Sequence, residues 1–170
     1  RPRINEIFLE FAKEIAPKAQ ALYILGDLFE YWVGDDDVDD PLAGRVAHAL
    51  STVAQAGTRV YLMQGNRDVL LGAHFASRCG ATLIADPTVI DLYGTQTLLM
   101  HGDTLCTDDT EYQKFRAYIR NPRTQAQLLA QPLAARHAQA RALRAQSEYA
   151  KGGKSEDIMD VARSEEHTSE

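Results

Sequence analysis

Three short polar signatures follow three apolar, strand-like runs of this chain. Gly26-Asp27 ends the run ALYILGD, Gly65-Asn66-Arg67-Asp68 ends RVYLMQGNRD, and His101-Gly102-Asp103 ends TLLMHGD. The carboxyl ends of strands in open α/β sheets lie where such folds bind ligands. We therefore predict an α/β fold in which the Asp, Asn and His of these signatures lie along one rim of a sheet.

The side chains of the three signatures provide the donors of a mixed oxygen and nitrogen metal site. Asp27 offers a carboxylate able to bridge two cations, Asn66 a neutral carbonyl oxygen and His101 an imidazole, and this set suits Mn²⁺, Fe²⁺ or Zn²⁺. Gly26 and Gly65 precede two of the ligands and allow a sharp turn and the close approach of an anion. Asp27 alone is typical of a turn or cap and Asn66 alone of a turn. All three at successive strand ends favour a metal.

Hydrophobic periodicity predicts helices and strands around these signatures. A helix opens the chain, with apolar residues at helical spacing from Ile4 to Ile15. The other elements predicted before residue 101 are helices over 42–56 and 69–79, strands over 21–25, 59–64 and 82–84, and a hairpin over 89–100 that turns at Tyr93-Gly94. We expect the hairpin to complete the sheet edge. From Thr110 onward the pattern is helical, and Pro132 divides it into a helical hairpin or lid.

Composition limits the classes of protein to which the chain can belong. Its 170 residues, 45% hydrophobic and 25% charged, suffice for one globular domain. The two cysteines lack metal-ligand spacing, and no apolar segment resembles a signal peptide or is long enough to cross a bilayer. We therefore expect a reduced, cytoplasmic protein. The net charge of −6 argues against general nucleic-acid binding, and no protein partner is predicted.

The three signatures together resemble the calcineurin-like metallophosphoesterases, whose motifs run D-x-H, G-D, G-N-[HR]-[DE], a single His and G-H-x-H. Longer stretches are similar to the branch of this superfamily that hydrolyses UDP-2,3-diacylglucosamine in lipid A biosynthesis. They are ALYILGDLFEYWVGDDD, GNRDVLLGAHFA, MHGDTLCTDDTEYQKFR and SEDIMDV. The resemblance spans residues 2–161 and implies a metallophosphoesterase sandwich, incomplete here, with a helical cap insertion.

The resemblance also implies two Mn²⁺ ions per complete subunit and a set of site residues. Asp27 would bridge the metals, and Asn66 and His101 would complete the second metal site. Asn66 and Arg67 would contact the substrate phosphates, so that Arg67, Asn66 and His101 form the implied catalytic group. The other implied substrate-binding residues are Asp109, Ser147, Lys151 and Lys154.

Two Mn²⁺ ions need more protein ligands than Asp27, Asn66 and His101 supply. The remaining histidines before residue 163, at positions 48, 74 and 137, lie in helical patterns and are interpreted as surface or core residues. We therefore expect the missing ligands in a D-x-H before residue 1 and a G-H-x-H after residue 162. The implied division is a core over 1–120 that lacks its N-terminal strand, a helical cap over 121–155, a return to the core over 156–162 and a sequencing-adapter artefact over 163–170.

The implied reaction is hydrolysis of the pyrophosphate of UDP-2,3-diacylglucosamine at its α-phosphorus, which gives UMP and 2,3-diacylglucosamine 1-phosphate. A hydroxide held between the metals would attack the phosphorus, while Arg67 neutralises charge on the phosphoryl oxygens. We expect the 170 residues alone to be inactive. The alternatives are another metallophosphoesterase with a different phosphodiester substrate, and a non-catalytic fragment.

The basic region over 120–154 has two interpretations. Arg136, Arg141 and Arg144 alternate with leucines, so this region can form a cap that shelters acyl chains and faces an anionic bilayer. The alternative is a solvated helical face. The resemblance favours the cap, together with peripheral association with the cytoplasmic face of the inner membrane.

Two acidic features receive structural interpretations. The run over 35–40 is predicted to be a solvated loop, because carboxylates away from the sheet rim would compete for the metal. Asp68 is expected either to orient a neighbouring residue or to cap the helix predicted from residue 69.

Overall fold

The computed structural model describes the backbone of residues 2–151 and the side chains of residues 3–147. Its elements are α1 (Pro2–Glu14), β1 (Ala21–Leu25), α2 (Pro41–Gln55), β2 (Arg59–Met63), α3 (Ala73–Arg78), β3 (Ala81–Ile84), β4 (Thr88–Leu92), β5 (Thr95–Leu99), α4 (Thr110–Ile119), α5 (Pro122–Leu129) and α6 (Leu133–Lys151). The mixed α/β class predicted from the sequence is confirmed. The segments predicted over 156–162 and 163–170 lie outside the described residues.

The first three strands form a parallel sheet in the order β1-β2-β3. Leu22 pairs with Val60 and Ile24 with Leu62, so neighbouring strands present their apolar residues on the same face. Helix α2 packs on that face through five buried positions, Ala43, Val46, Ala47, Leu50 and Val53. This packing fixes the ends of β1 and β2 side by side, at the positions where the first two polar signatures begin.

Helix α3 begins four residues later than the sequence predicted. The preceding residues form a turn in which the Leu71 N–H donates to the Asp68 carbonyl at 2.9 Å. The N-cap residue, Gly72, has no side chain that could accept a hydrogen bond from the first turn of α3. The Asp35 carboxylate accepts instead from the N–H groups of Gly72 and Phe75, both at 2.9 Å. A carboxylate distant in sequence therefore caps α3, and the cap predicted for Asp68 is wrong.

Asp36, Asp37 and Asp40 of the acidic run also contact the protein, which corrects the interpretation of the run as a solvated loop, whereas Asp39 is exposed. Asp40 caps α2 by accepting from Leu42 N at 2.7 Å and Ala43 N at 2.9 Å. Asp36 pairs with Arg136, and the Oδ2 atom of Asp37 lies 2.9 Å from His137 Nε2. Two of these carboxylates therefore join the loop after β1 to α6.

The β4–β5 hairpin turns at Tyr93-Gly94 as predicted, and both residues adopt the positive φ that a tight hairpin turn requires. The hairpin does not extend the parallel sheet. Within the described residues it forms a separate two-stranded sheet, because the β2–β3 ladder ends at Ile84. Asp86, two residues later, is bound by Arg116 and by the backbone of His101 instead of continuing the ladder.

Helices α5 and α6 form the predicted helix pair on either side of Pro132. The Asn121 side chain caps α5 by accepting from Arg123 N at 2.9 Å, and Pro122 occupies the first helical position. None of the helices in the described part of the chain has both the length and the apolar character needed to cross a membrane.

Candidate active site

The ends of β1 and β2 bring Asp27 and Asn66 close together, and this approach depends on two glycines. Gly26 has a φ of +95°, and a Cβ there would lie 2.6 Å from the Gly65 Cα. A Cβ on Gly65 would lie 2.3 Å from Asp27 Oδ1. Side chains at either position would therefore force the two strand ends apart.

The Asp68 side chain hydrogen-bonds to the backbone at the ends of both strands. It is fully buried, and its Oδ1 accepts from Gly65 N at 2.7 Å and Asp27 N at 3.2 Å, while Oδ2 accepts from Leu28 N at 2.8 Å. Burial raises the pKa of Asp68, and the nearby Asp27 carboxylate raises it further, against the opposing effect of the three N–H donors. The prediction that Asp68 orients a neighbouring residue is confirmed.

His101 reaches this rim from the other sheet, so the expectation of three ligands along one rim of one sheet is wrong. Its Nδ1 lies 2.8 Å from the Leu25 carbonyl oxygen. A carbonyl oxygen only accepts, so Nδ1 is the donor, and in the neutral imidazole ring Nε2 is then the nitrogen with the lone pair. That lone-pair nitrogen lies 3.7 Å from Asp27 Oδ1 and 3.4 Å from Asn66 N.

The three predicted ligands thus come together with chemistry that fits a divalent transition-metal ion. The oxygen donors are those of Asp27 and Asn66, and the nitrogen donor is Nε2 of His101. A backbone acceptor on Nδ1 is the usual support of a metal-binding histidine. Among the described residues, no group of three His, Cys, Asp or Glu side chains could hold a metal ion. The described donors therefore fit part of a metal centre.

Arg67 lies beside these donors and contacts two carboxylates. Its Nε is 3.1 Å from Asp27 Oδ2, and its backbone N donates to Asp27 Oδ1 at 3.0 Å. Its Nη1 is 3.0 Å from Glu30 Oε2, which also accepts from Arg144 Nη2 at 3.0 Å. Glu30, which the sequence analysis missed, therefore links Arg67 to an arginine of α6.

A cavity of about 680 Å³ opens between these residues and helices α4, α5 and α6. Asn66, Arg67, Asp109 and Ser147 are among the polar residues that line it. Its apolar lining includes Val33, Val69, Leu70, Phe115, Leu128 and Leu143. The cavity lining thus combines one candidate metal donor, Asn66, and the Arg67 side chain with apolar side chains.

Four of the predicted substrate-binding residues converge on this cavity, and two lie beyond the described side chains. Asp109 also has a structural role, because its buried side chain caps α4 by accepting from Tyr112 N at 3.1 Å. Lys151 ends α6, but its side chain is outside the described set, and Lys154 lies outside the described residues altogether.

Helix α4 supports the site through contacts that the sequence pattern did not reveal. Asp103, the last residue of the third signature, is buried between Tyr112 and Arg116. Burial alone would raise the pKa of Asp103, but the Tyr112 hydroxyl and the Arg116 guanidinium outweigh it and hold the pKa below its ordinary value. The signal in the sequence was the i, i+4 spacing of Tyr112 and Arg116 on a predicted helix.

These features define an α/β protein with candidate metal donors at its strand ends and a partly apolar cavity beside them. No family model matches the chain. It is similar to proteins named UDP-2,3-diacylglucosamine hydrolase. The one from Cellvibrio japonicus is 57% identical over 165 residues, which cover 97% of this chain and 68% of the relative. Those from Hahella chejuensis and Xanthomonas campestris are 52% and 55% identical, over 97% of this chain and 67% and 69% of the relative.

The chain belongs to the UDP-2,3-diacylglucosamine hydrolase family. It spans about two thirds of the length of these relatives.

Proposed function

We propose that the protein in which this chain occurs hydrolyses UDP-2,3-diacylglucosamine in lipid A biosynthesis, releasing UMP and 2,3-diacylglucosamine 1-phosphate. The observation that carries the proposal is the cavity, because Asn66 and Arg67 line it together with apolar side chains of the core and of α4, α5 and α6. A substrate that carries both a pyrophosphate and two acyl chains needs polar and apolar groups in one cavity. The names of the relatives support the same substrate.

Arg67 is the residue best placed to bind the pyrophosphate. Its guanidinium already contacts two carboxylates, Asp27 and Glu30, and a planar fork binds two phosphate oxygens in the same manner. Arg144 shares Glu30 and lines the cavity, so it adds a second positive charge on the α6 side. Together these arginines would neutralise charge that develops on the phosphoryl oxygens.

The cap proposed over 121–155 would cover the acyl chains. Leu128 of α5 and Leu143 of α6 line the cavity together with Val69 and Leu70 of the core. The exposed arginines of the same region would favour an anionic membrane surface. We propose peripheral association with the cytoplasmic face of the inner membrane on this basis.

Two Mn²⁺ ions are the proposed cofactor. When bound, such ions act as Lewis acids and lower the pKa of water to make a nucleophile at neutral pH. Asp27 would donate carboxylate oxygen, Asn66 amide oxygen and His101 Nε2, with Nδ1 held by the Leu25 carbonyl. The remaining ligands would come from the D-x-H and G-H-x-H motifs that we expect outside residues 1–162.

The test is an assay of UMP release by the protein expressed from its full reading frame. We expect hydrolysis of UDP-2,3-diacylglucosamine and a loss of roughly 100-fold or more in kcat/KM for Arg67→Lys, because a point charge replaces the fork. Arg59→Lys, the same substitution at an exposed arginine of β2, is the matched control. Hydrolysis of simple phosphodiesters without turnover of the lipid substrate would instead support the alternative metallophosphoesterase.

The non-catalytic alternative is tested on the 170-residue chain itself. Three donors predict weak binding of at most one Mn²⁺ and no turnover. Tight binding of two Mn²⁺ ions per chain would defeat this expectation and show that the described donors are sufficient.

A further inference from the structure

A continuous hydrogen-bonded chain of side chains runs behind two of the candidate metal ligands, Asn66 and His101. It begins at Asp86, whose side chain is almost fully buried. Asp86 Oδ1 accepts from the backbone N–H of His101 at 3.0 Å. The other oxygen, Oδ2, accepts from Arg116 Nη2 at 3.1 Å and lies 3.2 Å from Arg120 Nη2. The loop that carries His101 is thus tied to helix α4 and to the residue that follows it.

Arg116 continues the chain from Asp86 to Asp103. Its Nε donates to Asp103 Oδ1 at 2.9 Å, so one guanidinium spans two buried carboxylates. Arg120 adds a second guanidinium beside Asp86. Such pairing and hydrogen bonding compensates the burial of two carboxylates, and the planar guanidinium presents separate donors to each of them. Arg116 therefore links Asp86 to Asp103 through its Nη2 and Nε atoms.

Tyr112 connects Asp103 to Asn66. Its hydroxyl donates to Asp103 Oδ2 at 2.6 Å, and this uses its one hydrogen. The Asn66 side chain lies beside the same hydroxyl and acts to lower the pKa of Tyr112, which burial and Asp103 raise. A hydroxyl that has given its hydrogen to Asp103 can only accept, so a bond from Asn66 would come from its amide nitrogen and leave the amide oxygen available for a metal ion.

We propose that Tyr112 and Arg116 are positioning residues that orient the candidate metal ligands, Tyr112 through the Asn66 amide and Arg116 through Asp103 and the His101 backbone. The inference deepens the proposed function and rests on it. Tyr112 also lines the cavity, as does Phe115 from the next turn of α4. One helix therefore contributes to both the ligand support and the substrate pocket.

The first test compares Tyr112→Phe with Tyr118→Phe, an exposed tyrosine on the same helix. The two readouts are the NMR resonances of the Asn66 side-chain NH₂ group in the metal-free chain and the Mn²⁺ dissociation constant from titration. We expect Tyr112→Phe to shift the Asn66 resonances and to raise the dissociation constant about tenfold, the usual cost of losing a residue that supports a metal ligand. Tyr118→Phe should change neither value, and both variants should remain folded, with cooperative thermal unfolding as the check.

Wild-type Asn66 resonances together with wild-type Mn²⁺ affinity in Tyr112→Phe would overturn the role of Tyr112. If the unmodified chain binds no Mn²⁺, the proposed metal function fails separately. The Asn66 resonances then decide the positioning role alone, since they are measured without metal.

A second pair of variants tests Arg116. Arg116→Lys keeps the charge but cannot span Asp86 and Asp103, and Arg123→Lys is the control on an exposed arginine. We expect Arg116→Lys to shift the imidazole nitrogen resonances of His101 and to weaken Mn²⁺ binding by about tenfold or more. Unchanged His101 resonances in a folded Arg116→Lys variant would overturn the role of Arg116.

Discussion

Arg136 of α6 forms a two-point ion pair with Asp36 in the loop after β1. Its Nη1 lies 2.8 Å from Asp36 Oδ1, Nη2 pairs with Oδ2, and Nη1 also donates to the Val33 carbonyl. The Arg136 side chain is only 4% exposed, whereas that of Asp36 is 60% exposed. The arginine is therefore buried against the core and holds α6 over the cavity.

Arg136→Ala should loosen α6 from the core. The buried Val33 carbonyl would lose its donor, and an unsatisfied buried polar group costs about 1–3 kcal/mol. We expect a fall of that size in the free energy of unfolding and faster amide hydrogen exchange over 133–147. Arg141→Ala, at an exposed position of the same helix, is the control. Equal exchange rates in the two variants would show that the pair does not hold the helix.

The same ion pair predicts a pH dependence of stability. The hydrogen bond from Arg136 lowers the pKa of Asp36 below its ordinary value of 3.8. A carboxyl with a lowered folded-state pKa stabilises the protein fully above its unfolded pKa, and this contribution is lost as the pH falls through the folded pKa. The difference in stability between the wild type and Asp36→Asn should therefore be constant from pH 5 to 7 and shrink below about pH 3.8. Chemical denaturation across this range measures it, and a constant difference at all pH values would contradict it.

Asp68→Asn should destabilise the strand ends although it preserves shape. Asp68 accepts three backbone hydrogen bonds with its two oxygens, and an amide nitrogen cannot accept. One buried N–H group would lose its partner and face another donor, at a cost of about 1–3 kcal/mol. Urea denaturation measures the loss. Asp91→Asn, on the exposed hairpin, is the control and should leave stability within about 0.5 kcal/mol.

The positions of Asp27 and Asn66 followed from sequence because the information is local. Strand β1 matches its predicted bounds, β2 differs by one residue at its end, and parallel strands place their carboxyl ends at one edge. His101 does lie close to these residues, but it does not follow a strand of the same sheet as the sequence predicted. It follows a separate hairpin, and its ring contacts the Leu25 carbonyl. No periodicity in the sequence indicates that contact.

The acidic run shows why the remaining errors arose. Asp35 caps a helix that begins 38 residues later along the chain, and Asp36 binds Arg136, 100 residues away. Isolated carboxylates in a polar loop are usually solvated, so composition alone favoured that interpretation. Their partners are set by how α3 and α6 pack on the core, which is tertiary information.

Gly65→Ala should disrupt the candidate metal site directly. The added Cβ would lie 2.3 Å from Asp27 Oδ1 and 2.4 Å from Asp27 N, so the backbone must move. We expect lower stability and a loss of Mn²⁺ affinity of about tenfold or more. Gly44→Ala is the matched control, because Gly44 is helical and a Cβ there meets no atom within 4 Å. It should raise the free energy of unfolding by about 0.5–1 kcal/mol.

Glu30 is predicted to compete with the substrate for the two cavity arginines. Its Oε2 lies 3.0 Å from both Arg67 Nη1 and Arg144 Nη2, so a phosphate bound by these arginines would compete with the Glu30 carboxylate. Glu30→Gln removes the negative charge while keeping a hydrogen-bond acceptor, so a phosphate would meet less competition. Since a partly exposed ion pair contributes up to about 1 kcal/mol, UMP should bind up to about fivefold more tightly.

Calorimetry with the protein from its full reading frame measures the change in UMP affinity. Glu10→Gln, which changes an exposed glutamate of α1, is the control. Weaker UMP binding in Glu30→Gln would mean that Glu30 orients the arginines for phosphate instead of competing with it.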